Sequence, residues 1–144
     1  MNAPTTKKAV YALEHELANL PQAEVPIRHY FADGLYAREM KLPAGVAATG
    51  AVHKTEHICV ISQGSIAVTT DEGVKVLTAP CTFVAKPGIK RAGYAITDVV
   101  WTTFHATKET EINKILEELI EEEPDKLIGG KNNVQALRNV EQLK

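Results

Sequence analysis

The sequence has few cysteines, almost no surplus charge and no long apolar run, and each absence excludes a class of protein. Two cysteines among 144 residues cannot make the disulfide framework of a small secreted domain. A formal charge of −2 lacks the basic surplus with which nucleic-acid binders hold phosphates. No segment resembles a membrane span or the apolar core of a signal peptide. We therefore expect a soluble, cytoplasmic protein with neither nucleic acid nor membrane among its partners.

What the chain does contain is a central region of β-strand patterns between two helical segments. Its length and its 44% hydrophobic residues suffice for one domain with a core. Within residues 1–24 a helix is predicted over about 6–19, because apolar residues recur every three or four positions before Pro21. Residues 25–106 alternate β-branched and aromatic runs with Gly, Pro and Asp turns, which predicts an antiparallel sandwich or barrel. Strands are predicted at 27–31, 35–42, 46–52, 58–62, 65–70, 74–77, 81–85, 92–96 and 99–106.

The C-terminal segment, residues 107–144, returns to a helical pattern. A helix is predicted over 107–123, with Thr107 or Thr110 as its cap. Its apolar stripe fits two alternatives, packing against the outside of the barrel or against a second subunit. Beyond the Gly129–Gly130 pair, the sequence fits either a short helix or a loosely held tail. The stripe consists of Ile112, Ile115, Leu116, Leu119 and Ile120.

Two histidines stand close together at the end of one predicted strand and the start of the next. If alternation continues through the bend, His53 and His57 share a face and Glu56 points to the other. Two imidazoles at this spacing can reach one metal ion. The alternatives are that the histidines are hydrogen-bonded polar residues without a metal, and that Glu56 is either a solvated bend residue or a pocket carboxylate.

With this histidine pair and the turns around it, the sequence resembles the cupin family over about residues 26–106. Cupins have a first motif with two His and a Glu before a closing Gly, and a second motif built on Pro-Gly and followed by His. His53 matches the second His of the first motif, Gly64 its closing Gly, and Pro87-Gly88 the turn of the second. Three positions depart from the pattern, because Ala51, His57 and Arg91 replace the first His, the Glu and the last His.

The resemblance implies a cupin-type jelly-roll barrel with a metal site in its interior. His105, near the end of the last strand, would then complete a site with His53 and His57. Three imidazoles with open positions suit Zn, Fe, Ni or Cu better than Mg or Ca. Arg91 at the mouth would bind the carboxylate or phosphate of a small anionic metabolite. Tyr94 would orient that ligand or transfer a proton as a catalytic residue.

The departures from the motif also fit a second function. The chain would then be a non-catalytic, oligomeric cupin-like structural or binding protein with a metal-free site, similar to small cupin-like proteins of phage genomes. The resemblance implies a homodimer in either case. Cys59 and Cys81 lie in apolar strands and are expected to be small buried hydrophobes. Whether the protein is an enzyme, and on which substrate it would act, is left open by the sequence.

Overall fold

The computed structural model describes residues 7–121, which form two short helices and nine strands. No helix in this range is long and apolar enough to cross a membrane. The elements in chain order are α1 (Lys7–Ala18), β1 (Ile27–Ala32), β2 (Leu35–Leu42), β3 (Ala47–Thr49), β4 (His57–Gln63), β5 (Ser65–Thr70), β6 (Gly73–Thr78), β7 (Cys81–Ala85), β8 (Ala92–Ala95), β9 (Val99–Ala106) and α2 (Ile112–Leu119).

The strands form two antiparallel sheets, as the mainly β prediction requires. The five-stranded sheet has the order β1-β2-β9-β4-β7, and the four-stranded sheet has the order β3-β8-β5-β6. The last strand therefore lies between β2 and β4, far from its neighbours in sequence. The two sheets of residues 7–121 are not joined into one closed ring of hydrogen-bonded strands. The predicted barrel is thus realised as a two-sheet sandwich of the jelly-roll kind.

The core lies between the two sheets because alternate residues of their strands point inward. Cys59 is fully buried there, as predicted, whereas Cys81 is only partly buried at its margin. The ring of Phe83 meets that of Trp101 edge to face, with centroids 5.7 Å apart. The buried cluster consists of Leu42, Cys59, Ile61, Ile66, Val68, Ala85, Ala95, Val99 and Trp101.

Strand positions follow the predicted turns closely, with one exception that concerns the histidines. The strand predicted at 46–52 is only three residues long, since β3 ends at Thr49. His53 therefore lies beyond the strand, where its backbone makes an isolated bridge to Ile120. The turn before β5 contains Gly64 at φ +87°, and a Cβ at this position would collide with the backbone oxygen of Asp98. Only glycine meets both requirements there.

The first helix is confirmed, but its apolar stripe is not a buried face. Val10 is fully buried, whereas Leu13 and Leu20 are exposed. The helix is held instead by polar contacts, because Glu14 accepts hydrogen bonds from Lys90 Nζ at 2.6 Å and from Thr49 Oγ1 at 2.5 Å. The spacing of apolar residues alone could not predict an attachment made by a partly buried ion pair.

The second helix is shorter than predicted and begins without a side-chain cap. Glu111 occupies the cap position and makes no capping hydrogen bond. Thr107 instead accepts a hydrogen bond from the Glu109 N–H and donates one to Glu118 Oε2, so the predicted cap at Thr107 or Thr110 is wrong. The predicted residues 122–123 of this helix, and everything from 122 to 144, lie outside the described residues.

The apolar stripe of α2 packs against one end of the sandwich. Ile112, Ile115 and Leu119 are buried together with Tyr36 of β2, and Ala51 packs beside them. The backbone of Lys54 donates to the Leu119 carbonyl, and that of Glu121 donates to the Val52 carbonyl. Of the two alternatives for this stripe, the structure shows intramolecular packing, at the end where the histidines lie rather than on the outer face of a sheet.

Candidate metal centre

Three histidines that are distant in sequence come together at this end of the sandwich. The ring centroids of His53 and His57 are 4.1 Å apart, those of His57 and His105 are 4.7 Å apart, and those of His53 and His105 are 5.1 Å apart. One nitrogen from each ring lies within 4.8 Å of the other two. The structure therefore brings together the three residues that the sequence and the family resemblance singled out.

Sheet pairing explains how two of these rings meet. Strands β4 and β9 are antiparallel neighbours, and Ile58 pairs with Phe104. The next residues outward, His57 and His105, therefore lie beside each other on the inner face. His53 joins them from the loop before β4, and its bridge to Ile120 fixes that loop to the end of α2.

Each ring of this triad is oriented by a hydrogen bond to the residue two positions before it. His57 Nδ1 donates to the Thr55 carbonyl at 3.2 Å. His105 Nε2 hydrogen-bonds with Thr103 Oγ1 at 2.8 Å, and His53 bonds to the backbone of Ala51. Metal-binding histidines characteristically use their second nitrogen in this way, which fixes both ring orientation and tautomer.

The remaining nitrogens suit a metal ion. His105 Nδ1 is buried and has no hydrogen-bond partner. A buried polar atom without a partner destabilises the fold, and coordination of a metal ion by this nitrogen would remove that penalty. Burial, together with the charges of His57 and Arg38, lowers the pKa of His105 to about 3. Burial also lowers the pKa of His53 to about 3, with smaller effects from His57, His105 and Arg38, and it lowers that of His57. All three rings are therefore neutral at pH 7, which is the form that coordinates metals.

The triad lines a cavity of about 160 Å³ between the sheets and α2. Its walls are mainly apolar and include Met40, Trp101 and Leu119. Arg91 also lines the cavity, with its guanidinium carbon 5.3 Å from the centroid of the Phe83 ring. Burial lowers the pKa of Arg91, but an arginine keeps its positive charge in proteins.

Two other predicted residues lie away from the cavity. Tyr94 is half exposed on β8 and is not among the cavity-lining residues, so the structure does not bring it to the histidines. Residues three apart on an extended strand point to opposite sides, so Tyr94 does not share the side of Arg91. Glu56 is exposed and pairs with Lys86 Nζ at 2.9 Å, which corresponds to the solvated bend residue rather than the pocket carboxylate.

Two polar residues of β2 line the cavity although no sequence motif singled them out, Tyr36 and Arg38. Tyr36 pairs with His105 across the sheet, and its hydroxyl lies 2.6 Å from Nδ1 of His29. Burial raises the pKa of Tyr36 to about 12, partly offset by the charge of Arg38. Alternation along β2 places these residues on one face, but only the pairing with β9 shows that this face is the one with the triad.

Comparison with known proteins rests on structure, because no protein-family model and no curated protein sequence matches the chain. A cupin superfamily protein from Desulfitobacterium hafniense DCB-2 is 12% identical, with a TM-score of 0.50 over 63% of this chain and 84% of that one. The salicylate 1,2-dioxygenase of Pseudaminobacter salicylatoxidans is 16% identical, with a TM-score of 0.54 over 79% of this chain and 35% of that one. The chain thus spans about a third of the dioxygenase. Together with the two-sheet topology, these similarities show that the chain has a cupin-like fold.

Proposed function

We propose that the protein binds a divalent transition metal through His53, His57 and His105 and uses it to bind a small anion in the cavity. The convergence of three neutral imidazoles, of which two are buried and that of His53 is half-buried, is the observation that carries this proposal, because each ring is also oriented by a hydrogen bond through one nitrogen. The donors are neutral nitrogens, and none of the residues between 7 and 121 that line the cavity is a carboxylate, which favours Zn, Fe, Ni or Cu over Mg or Ca.

The positive charge of Arg91 in the cavity wall is the reason for proposing an anionic ligand. Arg91 supplies a guanidinium that can hold a carboxylate or phosphate through two parallel hydrogen bonds. Three protein ligands leave positions open on a four- or five-coordinate ion. A metal there would supply Lewis acidity toward an oxygen of the anion, which is the chemistry that conversion of the anion would use. The residues of this chain bind and orient the anion, and α2 shields it from water.

Elemental analysis of protein purified without an affinity tag tests this proposal. We expect about one transition-metal ion per chain in the wild type and less than a tenth of that in His53→Gln, His57→Gln and His105→Gln, because two imidazoles rarely retain such an ion. His15→Gln is the matched control, since His15 lies exposed on α1. It should leave the metal content unchanged.

The alternative, a metal-free structural or binding protein, predicts a different result. Wild-type protein without metal after incubation with Zn²⁺, Fe²⁺, Ni²⁺ and Cu²⁺ would favour that alternative. So would a metal content that the three substitutions do not alter. Circular dichroism of each variant separates loss of metal from loss of the fold.

A further inference from the structure

Arg91 brings a guanidinium from the four-stranded sheet to the inner face of the five-stranded sheet. It directly precedes β8 and lines the cavity, and its guanidinium carbon lies 5.3 Å from the centroid of the Phe83 ring on β7. His57 pairs with Ala85, which lies two residues along β7 from Phe83. Diagonal neighbours of this kind have Cα atoms about 7–8 Å apart. One small ligand can therefore contact both the guanidinium and the histidine triad.

The guanidinium lacks a full set of partners inside the protein. Arg91 Nε is buried and has no hydrogen-bond partner among residues 7–121. The charge of Asp71 acts on Arg91, but Asp71 does not line the cavity, and a guanidinium has N–H groups for more than one acceptor. Because a buried charge is costly unless it is paired and hydrogen-bonded, a carboxylate bound to Arg91 would stabilise this part of the cavity.

Farther along the strands the cavity wall is apolar. Trp101 of β9 pairs with Met40 of β2, and both line the cavity. Trp101 lies four residues before His105, which is about 13 Å along an extended strand. Ile66 and Val68 of β5 line the cavity from the other sheet. A ligand whose charged end lies beside the triad thus has its body against apolar side chains, which is favourable only if that body is apolar as well.

The cavity volume limits the size of such a ligand. A cavity of about 160 Å³ is comparable to one that holds a benzene molecule. A carboxylic acid of roughly six to nine non-hydrogen atoms fits this size. A short branched acid such as isovalerate falls within this range.

We propose that the cavity selects a carboxylic acid with a compact apolar body, whose carboxylate is bound by Arg91 beside the triad and whose body contacts Met40 and Trp101. This inference rests on the proposed function, because it names the class of anion that the same site takes. Acetate would leave the apolar wall without contacts. Inorganic phosphate has no apolar body and would place its charge against that wall.

Calorimetric titration of the zinc-loaded protein tests this selection. The ligands are acetate, propionate, butyrate and isovalerate, the neutral amide isovaleramide, and inorganic phosphate. We expect the affinity to rise about threefold for each carbon atom added from acetate to isovalerate, because that is the effect of burying one methylene group. Isovalerate should bind tenfold or more tightly than isovaleramide, which has nearly the same shape without the charge. Phosphate should bind more weakly than isovalerate.

Two substitutions separate the arginine from the apolar wall. Arg91→Gln should retain zinc and lower the preference for isovalerate over isovaleramide at least fivefold, which simple binding of the acid to zinc would not do. Met40→Gln, which nearly keeps the side-chain size, should leave that preference intact and lower the preference for isovalerate over acetate at least threefold. The matched controls are Arg28→Gln and Val76→Gln, at exposed positions of β1 and β6, and both should bind as the wild type does. Thermal unfolding of every variant verifies that it is folded.

The outcomes distinguish this inference from the proposed function. Equal affinity for isovalerate and isovaleramide in zinc-loaded protein would overturn the inference, and so would isovalerate that binds no more tightly than acetate. An acid preference that Arg91→Gln retains in full would overturn it as well. Wild-type protein that takes up no zinc contradicts the proposed function instead. In that case the same titrations on the zinc-free protein still decide whether Arg91 and the apolar wall select this class of acid.

Discussion

At the level of single residues, His53 and His105 are held neutral by their surroundings. Burial is the main cause that lowers the pKa of each to about 3, and neighbouring imidazoles and Arg38 add to it. In an unfolded chain a histidine titrates near 6.5. The metal-free protein therefore binds fewer protons at these positions when folded than when unfolded, over the whole interval between the two values.

This difference predicts a pH dependence of stability for the metal-free protein. The unfolded state takes up protons as pH falls below 6.5 and the folded state does not, so the free energy of unfolding decreases toward acid. Each of the two histidines contributes a slope of at most about 1.4 kcal/mol per pH unit below 6.5 and none above it. Urea unfolding between pH 7.5 and 5 measures this slope.

The matched control for that measurement is the variant with glutamine at positions 53, 57 and 105. Its stability should vary less with pH over the same range, because glutamine does not titrate. Equal slopes for the two proteins would contradict the assigned pKa values. A wild type that gains stability as pH falls from 6.5 to 5 would contradict them as well.

Some residues of the candidate site could be predicted from the sequence and others could not. The spacing of His53 and His57 was sufficient to predict that their side chains face one site, and the family resemblance added His105. Arg38 could not be found in this way, because only the pairing of β2 with β9 shows which of its faces points inward. Tyr94 was predicted to belong to the site because it is close to Arg91 in sequence. Residues three apart on an extended strand point to opposite faces, so the side chain of Tyr94 points away from the cavity.

At the level of elements, α1 is attached to the sandwich by an ion pair whose lysine is buried and whose glutamate is partly exposed. The side chain of Lys90 is 1% exposed, and its ammonium donates to Glu14 Oε2 and to the Gly50 carbonyl. It also lies 4.8 Å from the centroid of the Tyr11 ring. A polar anchor of this kind holds the helix to β3 and to the loop before β8.

Glu14→Gln should therefore destabilise the protein. The substitution keeps the size of the side chain but removes a negative charge next to a buried ammonium, which we expect to cost about 2 kcal/mol. Urea unfolding at pH 7 measures this loss. Glu72→Gln serves as the control, because Glu72 forms an ion pair with Lys75 at 2.9 Å in which both side chains are exposed.

The control variant should unfold at the wild-type urea concentration. A Glu14→Gln protein as stable as the wild type would show that the ion pair contributes nothing net to folding. Comparison of the helical circular dichroism of both variants verifies whether α1 remains in place.

The second helix shows why the place of a helix in the fold is harder to predict than the helix itself. Its apolar stripe was evident from the spacing of Ile112, Ile115 and Leu119, and these side chains are buried. The surface that buries them was not evident, because Tyr36 and Ala51 come from distant parts of the chain. Helical periodicity identifies the buried face but not the surface against which it packs.

At the level of the whole molecule, the strand pattern was largely predictable and the strand order was not. Turn residues such as Gly34, Gly64 and Gly88 bound the strands, and each has a positive φ. The order of the sheets depends instead on pairings between distant segments, such as β2 with β9. The family resemblance, rather than local pattern, supplied the expectation of a jelly-roll.

The homodimer implied by the resemblance stays a prediction, and the outer face of the five-stranded sheet offers a surface for it. Ile58 and Val84 pair across β4 and β7 and are both exposed, and Tyr30 is exposed on β1 of the same sheet. Exposed apolar side chains of this kind are typical of contact surfaces. We expect a second copy of the chain to cover them.

Light scattering coupled to size-exclusion chromatography tests the dimer. We expect a mass about twice the 15.7 kDa of the chain, and the mass of the monomer for Ile58→Lys. Val74→Lys, at another exposed apolar position, on β6 of the other sheet, should keep the dimer. A monomeric wild type would exclude the dimer at the concentrations measured.

The central claim, a metal ion held by three imidazoles, is tested most directly by the zinc K-edge X-ray absorption spectrum of the zinc-loaded protein. Cys59 also lines the cavity, so the spectrum must distinguish nitrogen from sulfur ligands. We predict three imidazole nitrogens at about 2.0–2.1 Å and no sulfur. A sulfur shell at about 2.3 Å, or fewer than three imidazoles, would contradict the account.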